Sequence, residues 1–250
     1  MSPLIKWQIA TVAAIKPETQ RVKTFTLTLP EWTAHRPGQH YDIRLTASDG
    51  YQAQRSYSIA SEPERRGEID LTVEYLKDGE VSSYMHEVLV PGDLVEVRGP
   101  IGGYFVWEAS MGGPLLLVAG GSGIVPLMSM LRHRAVTRTT VPTRLLYSSR
   151  SLEDVIYLKE LETLQSAKTG LVVFHTLTRS QPPGWTGYSR RIDDEMLREV
   201  VSPLGSGSSP RVYICGPTPM VESAANSLVS IGIPQARIRT ERFGPTGGKS

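Results

Sequence analysis

Cysteine is almost missing from this chain: among its 250 residues only Cys215 carries a thiol. A lone cysteine excludes an internal disulfide and a four-cysteine iron–sulfur cluster within these residues. If electrons move here, an organic cofactor carries them. Long apolar runs are missing too, so no stretch is expected to cross a bilayer. The opening residues, Met1–Trp7, hold one lysine and no apolar core of signal-peptide length, which leads to the expectation of a cytoplasmic chain. Neither sign of charge dominates. The 27 Lys and Arg against 25 Asp and Glu leave a formal +2, with the bases scattered among acids, so a nucleic-acid partner is not expected. His35, His40, His86, His133 and His175 show no metal-ligand spacing, and neither a metal nor a catalytic histidine is expected.

What the chain does contain is an ordinary folded composition, 40% apolar and 21% charged, and enough length for one large domain or two of usual size. From Lys6 to about Trp107 the pattern has period two. Phe25, Leu27 and Leu29 alternate with Thr24, Thr26 and Thr28, and Ile69, Leu71, Val73 and Tyr75 alternate with Asp70, Thr72 and Glu74, as in half-buried strands. Pro37-Gly38, Asp49-Gly50, Arg66-Gly67, Asp78-Gly79 and Pro91-Gly92 mark turns between them. This spacing predicts a small antiparallel barrel, six-stranded, with one short helix over Val81 to Val90. Around Glu108 to Pro114 the texture changes, and the expected domains are 1–109 and 110–250. Leu115 to Ala119 is apolar on both faces, and Gly120-Gly121-Ser122-Gly123 then opens a helix. The unit recurs: strands at Thr143 to Tyr147, Leu171 to Leu177, Arg211 to Cys215 and Arg237 to Glu241 are separated by helices at Leu152 to Gln165, Asp193 to Val201 and Thr218 to Ile231. The second half reads as a doubly wound α/β parallel sheet. Ser202 to Pro210, rich in Ser and Gly, reads as a loop without function.

Three stretches carry chemistry. In Arg55-Ser56-Tyr57-Ser58, a guanidinium suits a pyrophosphate, a phenol ring suits a flat tricyclic ring, and a hydroxyl can bond a ring nitrogen. On a strand Arg55 and Tyr57 share one face and Ser56 and Ser58 the other, so the chain must bend or end there if all reach one ligand. In Gly120 to Pro126, glycines allow close backbone approach and the helix start offers free N–H groups to phosphate, with Pro126 in the first turn. Glycine for packing alone is the other reading. In Cys215-Gly216-Pro217, the cysteine stands at the carboxyl end of a parallel strand, where open α/β sheets bind ligands; a buried strand-end thiol is the alternative.

Order and spacing together make the chain, from about Lys6 to Gly247, resemble the ferredoxin–NADP reductase superfamily, flavin-dependent reductases built of a flavin barrel and a nicotinamide domain. The likeness rests on Arg55 to Ser58, Gly79-Glu80-Val81-Ser82-Ser83, Gly120 to Pro126, and Cys215-Gly216-Pro217 with Met220. It implies FAD and NADPH as cofactors, with NADH as the other option. By this resemblance Arg55 and the helix start at Val81, Ser82 and Ser83 hold the FAD pyrophosphate, Tyr57 stacks on the isoalloxazine, Ser58 bonds near its N5, and Ser56 and Gly79 belong to the cofactor-binding set. Val73 and Glu74 face the ribityl chain. Ser122 and Cys215 line the nicotinamide pocket, Gly121, Gly123, Gly216, Pro217 and Met220 belong to the cofactor-binding set, and Tyr57, Ser58 and Cys215 serve hydride transfer from nicotinamide C4 to flavin N5. Glu241-Arg242-Phe243-Gly244-Pro245 looks like the end of the flavohaemoglobin-type reductase domain, which makes Glu241 and Phe243 candidates beside the flavin; a core aromatic at a strand end is the alternative for Phe243.

Coenzyme choice turns on charge near the adenosine ribose. Arg150 follows the second strand of the sheet, Arg179 the third, and Arg190 and Arg191 come after it. The resemblance makes Arg179 the expected 2′-phosphate ligand; solvated surface arginines are the alternative. With no iron–sulfur or globin segment among these residues, the expected activity is a monomeric reductase passing electrons from NADPH through FAD to a separate ferredoxin, flavodoxin or oxygenase component. An NAD(P)H:flavin reductase, and a flavin-binding electron-transfer or regulatory subunit without nicotinamide turnover, are the alternatives.

Overall fold

The computed structural model describes residues 5–204 and 209–243. These divide into two compact units: the residues up to Glu108 together with Met128–Val136, and Ala109–Leu127 together with the residues from Thr137 on.

The first unit holds β1 (Trp7–Thr19), β2 (Val22–Thr28), β3 (His40–Thr46), β4 (Gln52–Ser58), β5 (Glu68–Glu74), α1 (Glu80–Glu87) and β6 (Leu94–Ile101). The six strands form one antiparallel sheet in the order β4-β3-β6-β1-β2-β5. Just beyond β4 the chain closes onto the far edge: Ile59 bridges Leu71, and the Ala60 N–H donates to Asp70 O at 2.8 Å. Alternating apolar side chains explain the enclosed core, in which Phe25, Leu27, Tyr41, Ile43, Ile69, Leu71 and Val73 are all sealed from solvent. The threonine face is less solvated than a half-buried strand requires. Thr24 and Thr72 hydroxyls meet at 2.8 Å, Thr26 donates to Asp70 at 2.7 Å, and Arg65 pairs with Asp70 at 2.9 Å. These partners satisfy the polar groups, so β5 is buried on both faces. α1 stops at Glu87, short of the expected Val90, because a residue before proline is steered away from helix and Val90 precedes Pro91. The Val90 N–H instead donates to Asp93 Oδ2 at 2.9 Å. Within this unit Ser129 Oγ donates to Ser61 O at 2.6 Å and Arg132 Nη1 to Ala60 O at 2.9 Å, fixing Met128–Val136.

The second unit holds β7 (Leu115–Gly120), α2 (Ile124–Val136, whose later residues belong to the first unit), β8 (Thr143–Ser149), α3 (Leu158–Ser166), β9 (Leu171–Leu177), α4 (Asp194–Val201), β10 (Arg211–Pro217), α5 (Thr218–Ser230) and β11 (Ile238–Phe243). Its five strands are parallel, in the order β11-β10-β7-β8-β9. β7 is buried along its whole length, as its unbroken apolar run requires. The fold is thus the expected antiparallel barrel followed by a doubly wound parallel sheet. α3 starts at Leu158 and not near Leu152, because Tyr157 sits in the left-handed region at φ 62 and the Ile156 N–H is taken by the Tyr147 hydroxyl at 3.2 Å. Of the expected loop at 202–210, Ser202–Leu204 forms a short 3-10 turn, and residues 205–208 lie outside the described residues, as do Gly244 and Pro245. No described helix is long and apolar enough to cross a membrane.

Candidate functional site

In the first unit the site is carried by an edge strand. β4 pairs only with β3 along its length, with Arg55 opposite Ile43, Ser56 opposite Asp42, Tyr57 opposite Tyr41 and Ser58 opposite His40. Residues directly opposite share a face, so Arg55 and Tyr57 lie on the face of the buried Ile43 and Tyr41, with Ser56 and Ser58 on the other. Tyr57 is half-buried, packed against the core, and burial pushes its phenol up to about 12, so it stays neutral. Arg55 is exposed; among the described residues its guanidinium donates to Gln54 O, at 2.7 Å, and makes no ion pair. A cation at a strand edge with its fork of donors unspent fits an anionic oxygen ligand such as a pyrophosphate. Ser56 is occupied elsewhere, donating to Asp42 Oδ1 at 2.6 Å. Ser58 is buried at the strand's end.

α1 presents its amino end in the same unit. Its first backbone bond runs from Ser83 N–H to Gly79 O at 2.8 Å, which leaves the N–H groups of Glu80, Val81 and Ser82 at the open end, suited to an anion. The hydroxyls do not point that way. Ser82 Oγ is buried and bonds Gly79 O at 3.1 Å, and Ser83 Oγ donates to Leu76 O at 3.0 Å. Ser82 and Ser83 can therefore serve a phosphate through the main chain while their side chains brace the turn. Glu80 lies in that first turn, its carboxylate accepting from the Tyr51 hydroxyl at 3.0 Å. Val73 is sealed in the barrel core and its carbonyl is taken by His86 Nε2 at 2.9 Å, so its side chain is not available to a ribityl chain. Glu74, at the end of β5, is half-buried.

In the second unit the site forms where strand order reverses: from β7 the chain leads to β8 on one side, while β10 lies on the other. Gly120 to Gly123 and Cys215 to Pro217 stand at the carboxyl ends of those central strands, in backbone contact. A methyl on Gly123 would lie 2.1 Å from the Cys215 carbonyl oxygen, so only glycine fits. Gly121 has φ +54 and faces open space. The Met220 thioether covers the place where a Cβ on Gly120 would stand, at 2.5 Å. The Tyr147 hydroxyl donates to Gly121 O at 3.1 Å and so holds the loop from below. Ser122 is partly exposed on this loop. Cys215 is buried, and its Sγ lies 4.0 Å from Glu241 Oε2, its register partner on β11. Burial first, then the Glu241 charge, pushes the thiol well up, so it is held as a neutral SH and not as a nucleophile. Burial likewise raises Glu241 to about 7. Phe243, half-buried, stands opposite Pro217.

The four arginines separate into two kinds. The backbone ties the loops after β8 and β9 together, through Arg179 N–H to Arg150 O at 2.9 Å and Ser180 N–H to Arg150 O at 3.1 Å. Arg150 and Arg179 are thereby brought side by side at the carboxyl end of the sheet, both exposed, with no side-chain acid partner among the described residues. Arg190 is different: its guanidinium pairs with Asp193 at 2.6 Å and Glu195 at 3.0 Å and lies over the Tyr188 ring. Its charge is already compensated. Arg191 is exposed.

Sequence reasoning overlooked Asp42, Tyr147 and the Tyr51–Glu80 contact. Asp42 carried a signal, since a lone acid between the core residues Tyr41 and Ile43 in a strand needs a partner. Tyr147 carried none, because a tyrosine in an apolar strand reads as core.

Residues 10–106 match the family described as the oxidoreductase FAD-binding domain, and residues 117–226 the oxidoreductase NAD-binding domain. Across 240 residues the chain is 32% identical to ferredoxin–NADP reductase B of Sorangium cellulosum, spanning 94% of this chain and 96% of that protein. It is 31% identical over 233 residues to the glycine betaine monooxygenase reductase subunit of Chromohalobacter salexigens, covering 92% of this chain and 62%, less than two thirds, of that relative's length. Among solved structures, the flavohaem-like FAD/NAD-binding domain of the Vibrio cholerae nitric oxide dioxygenase superposes with a TM-score of 0.82 at 24% identity, over 95% of this chain and 99% of that one.

Proposed function

Because the chain belongs to the ferredoxin–NADP reductase family of FAD- and NAD-binding oxidoreductases, we propose that it takes reducing equivalents from NADPH and delivers them to a separate protein acceptor, a ferredoxin, a flavodoxin or an oxygenase component. One observation carries this reading: where the strand order of the sheet reverses, the glycine loop Gly120 to Gly123 is held against Cys215 with the Gly121 face left open, so that a ligand at the carboxyl ends of the strands can lie against main chain. When bound, FAD supplies the exchange between a two-electron donor and one-electron acceptors.

The chain's own residues bind, orient and keep out water. Arg55 and the main-chain N–H groups at the start of α1 neutralise the FAD pyrophosphate, and the neutral Tyr57 ring gives a flat, half-buried surface to stack on. Ser58 offers its hydroxyl as a proton donor or acceptor at the flavin N5. Gly121, Ser122 and Gly123 hold the coenzyme's phosphates by backbone N–H groups, and Arg150 with Arg179 takes the 2′-phosphate that distinguishes NADPH. Cys215, kept as a thiol, fills the floor of the nicotinamide site without reacting. An oxygenase partner has support in the relatives: the Chromohalobacter protein is named as a monooxygenase reductase subunit.

The test is spectroscopic. The purified protein should be yellow, bleach anaerobically with NADPH faster than with NADH, and recolour on adding an oxidised ferredoxin, flavodoxin or oxygenase component. A protein that binds FAD but is bleached by neither nucleotide would sink the proposal; rapid turnover with free flavin alone would replace the protein acceptor by a small one.

A further inference from the structure

Ser56, taken from the sequence as part of the flavin-binding set, faces away from Arg55 and Tyr57, and its hydroxyl is spent on a neighbour. Four side chains lie on one rung across four strands. Trp7 on β1 stands opposite Arg98 on β6, Arg98 opposite Asp42 on β3, and Asp42 opposite Ser56 on β4. Every neighbouring pair is in contact. The Arg98 guanidinium lies 4.8 Å from the Trp7 ring centre, Arg98 Nη2 is 2.7 Å from Asp42 Oδ2, and Ser56 Oγ is 2.6 Å from Asp42 Oδ1. The rung beyond braces it: Arg44 bonds Glu96 in bidentate fashion at 2.7 and 3.0 Å, and its guanidinium lies 4.1 Å from the same Trp7 ring.

Asp42 is buried, its side chain 6% exposed, whereas Ser56 is exposed. A buried carboxylate with both oxygens bonded is costly to build and needs a reason. The strand beside it supplies one. In β4 only Ala53 and Ser58 are buried and Tyr57 half-buried, so its apolar pattern specifies register weakly, and as an edge strand it has a ladder on one side only. A slip of one residue would turn Arg55 and Tyr57 to the opposite face.

We propose that Asp42 is the positioning residue of the flavin motif: held by Arg98, it fixes the register of β4 through Ser56, and Ser56 is an anchor and not a flavin ligand. The proposal rests on the FAD reading for its functional consequence, but not for its structural one. Polar groups that select one register among near-equals are a known use of buried charge.

Two readouts test it. In the flavin-free protein, amide hydrogen exchange at Arg55, Ser56 and Tyr57 should quicken in Ser56→Ala, and Ser56→Thr, which keeps the hydroxyl, should restore it. FAD binding should weaken about fivefold to tenfold in Ser56→Ala, as for loss of one ordinary hydrogen bond. In an Asp42→Leu background Ser56→Ala should add nothing, because the anchor is already gone. If Asp42→Leu does not fold, Arg98→Met replaces it in the cycle, and there the Ser56→Ala effect should shrink. Unchanged exchange in β4 of Ser56→Ala overturns the proposal. So does a full Ser56→Ala loss of FAD affinity surviving in the Asp42 or Arg98 background, which would make Ser56 a direct ligand. A parent protein that binds no FAD would defeat the function reading alone and leave the exchange test standing.

Discussion

At β4 the groups offered to a ligand are side chains on an exposed edge strand; at the ends of β7 and β10 they are backbone atoms, laid bare by glycines and packed against one another. In the first place the exposed Arg55 can be changed without moving the chain, because the ladder to β3 and the Asp42 contact hold it. In the second the chain itself is the site, and a single added carbon collides with main chain. The two regions should therefore fail differently: the strand by losing affinity while staying folded, the loop by losing structure.

The widest break between them is Gly123→Ala. Its methyl would stand 2.1 Å from a backbone oxygen and 2.7 Å from the Gly216 nitrogen, neither able to swing away, so the carboxyl ends of β7 and β10 must part. A loss of about 3 kcal/mol or more is expected, the upper range for overpacking. Gly121→Ala is the control, since only a left-handed φ opposes it, at a cost of about 1 kcal/mol. Denaturant unfolding of both variants gives the comparison. Equal losses would mean that the backbone contact is not the constraint.

Arg55→Ala comes next and should act on affinity alone. Among the described residues its guanidinium makes no ion pair and donates to Gln54 O, the carbonyl of its own neighbour, so the flavin-free melting temperature should hold. FAD binding should weaken by about 1.5–3 kcal/mol, a lost charge-assisted contact. Equilibrium dialysis against FAD reads this directly, and full flavin occupancy at the parent's dilution would remove Arg55 from the site.

Coenzyme choice sharpens the comparison inside the second unit. Arg179→Ala should cost about 1–3 kcal/mol in kcat/KM for NADPH and leave NADH turnover nearly unchanged, with high salt reproducing part of the loss. Arg190→Ala should leave coenzyme preference alone, because Asp193 and Glu195 already hold that guanidinium. Initial rates with both nucleotides decide; a parent that prefers NADH makes all four arginines plain surface charge.

What the sequence disclosed follows the same division. Period-two runs and the glycine-ended apolar strand carry their structure in local pattern, so Leu115 to Gly123 could be read as strand, turn and helix start at sight. Contacts that depend on register could not. That Ser56 meets Asp42, or that Arg150 and Arg179 stand together while Arg190 is tied to acids, depends on which strand lies beside which, and residues 14 or 29 positions apart give no periodic sign of it. Ser82 and Val73 make a related point: proximity in a motif says nothing about which atoms face outward, and here the Ser82 hydroxyl braces the turn while the Val73 side chain lies in the core.

The smallest expected effect concerns two carboxylates that the regions treat in opposite ways. Asp42 has a guanidinium at 2.7 Å, whereas Glu241 has the Cys215 thiol at 4.0 Å and, among the described residues, no cation beside its carboxyl. Burial holds Glu241 protonated up to about 7, against an ordinary value of 4.5. A folded-state value above the unfolded one means that the folded protein binds the extra proton between those two points. The stability Glu241 contributes is therefore fully present below about pH 4.5 and is lost as pH rises through about 7. Glu241→Gln keeps the neutral form at every pH. Flavin-free parent and variant should melt together near pH 5, and the variant should gain on the parent by a few degrees toward pH 8, where Cys215, still a thiol, adds no charge of its own. Melting curves in parallel across that range would mean that water reaches the Glu241 carboxylate and stabilises its charge, and the end of β11 would then be as open to solvent as the edge of β4.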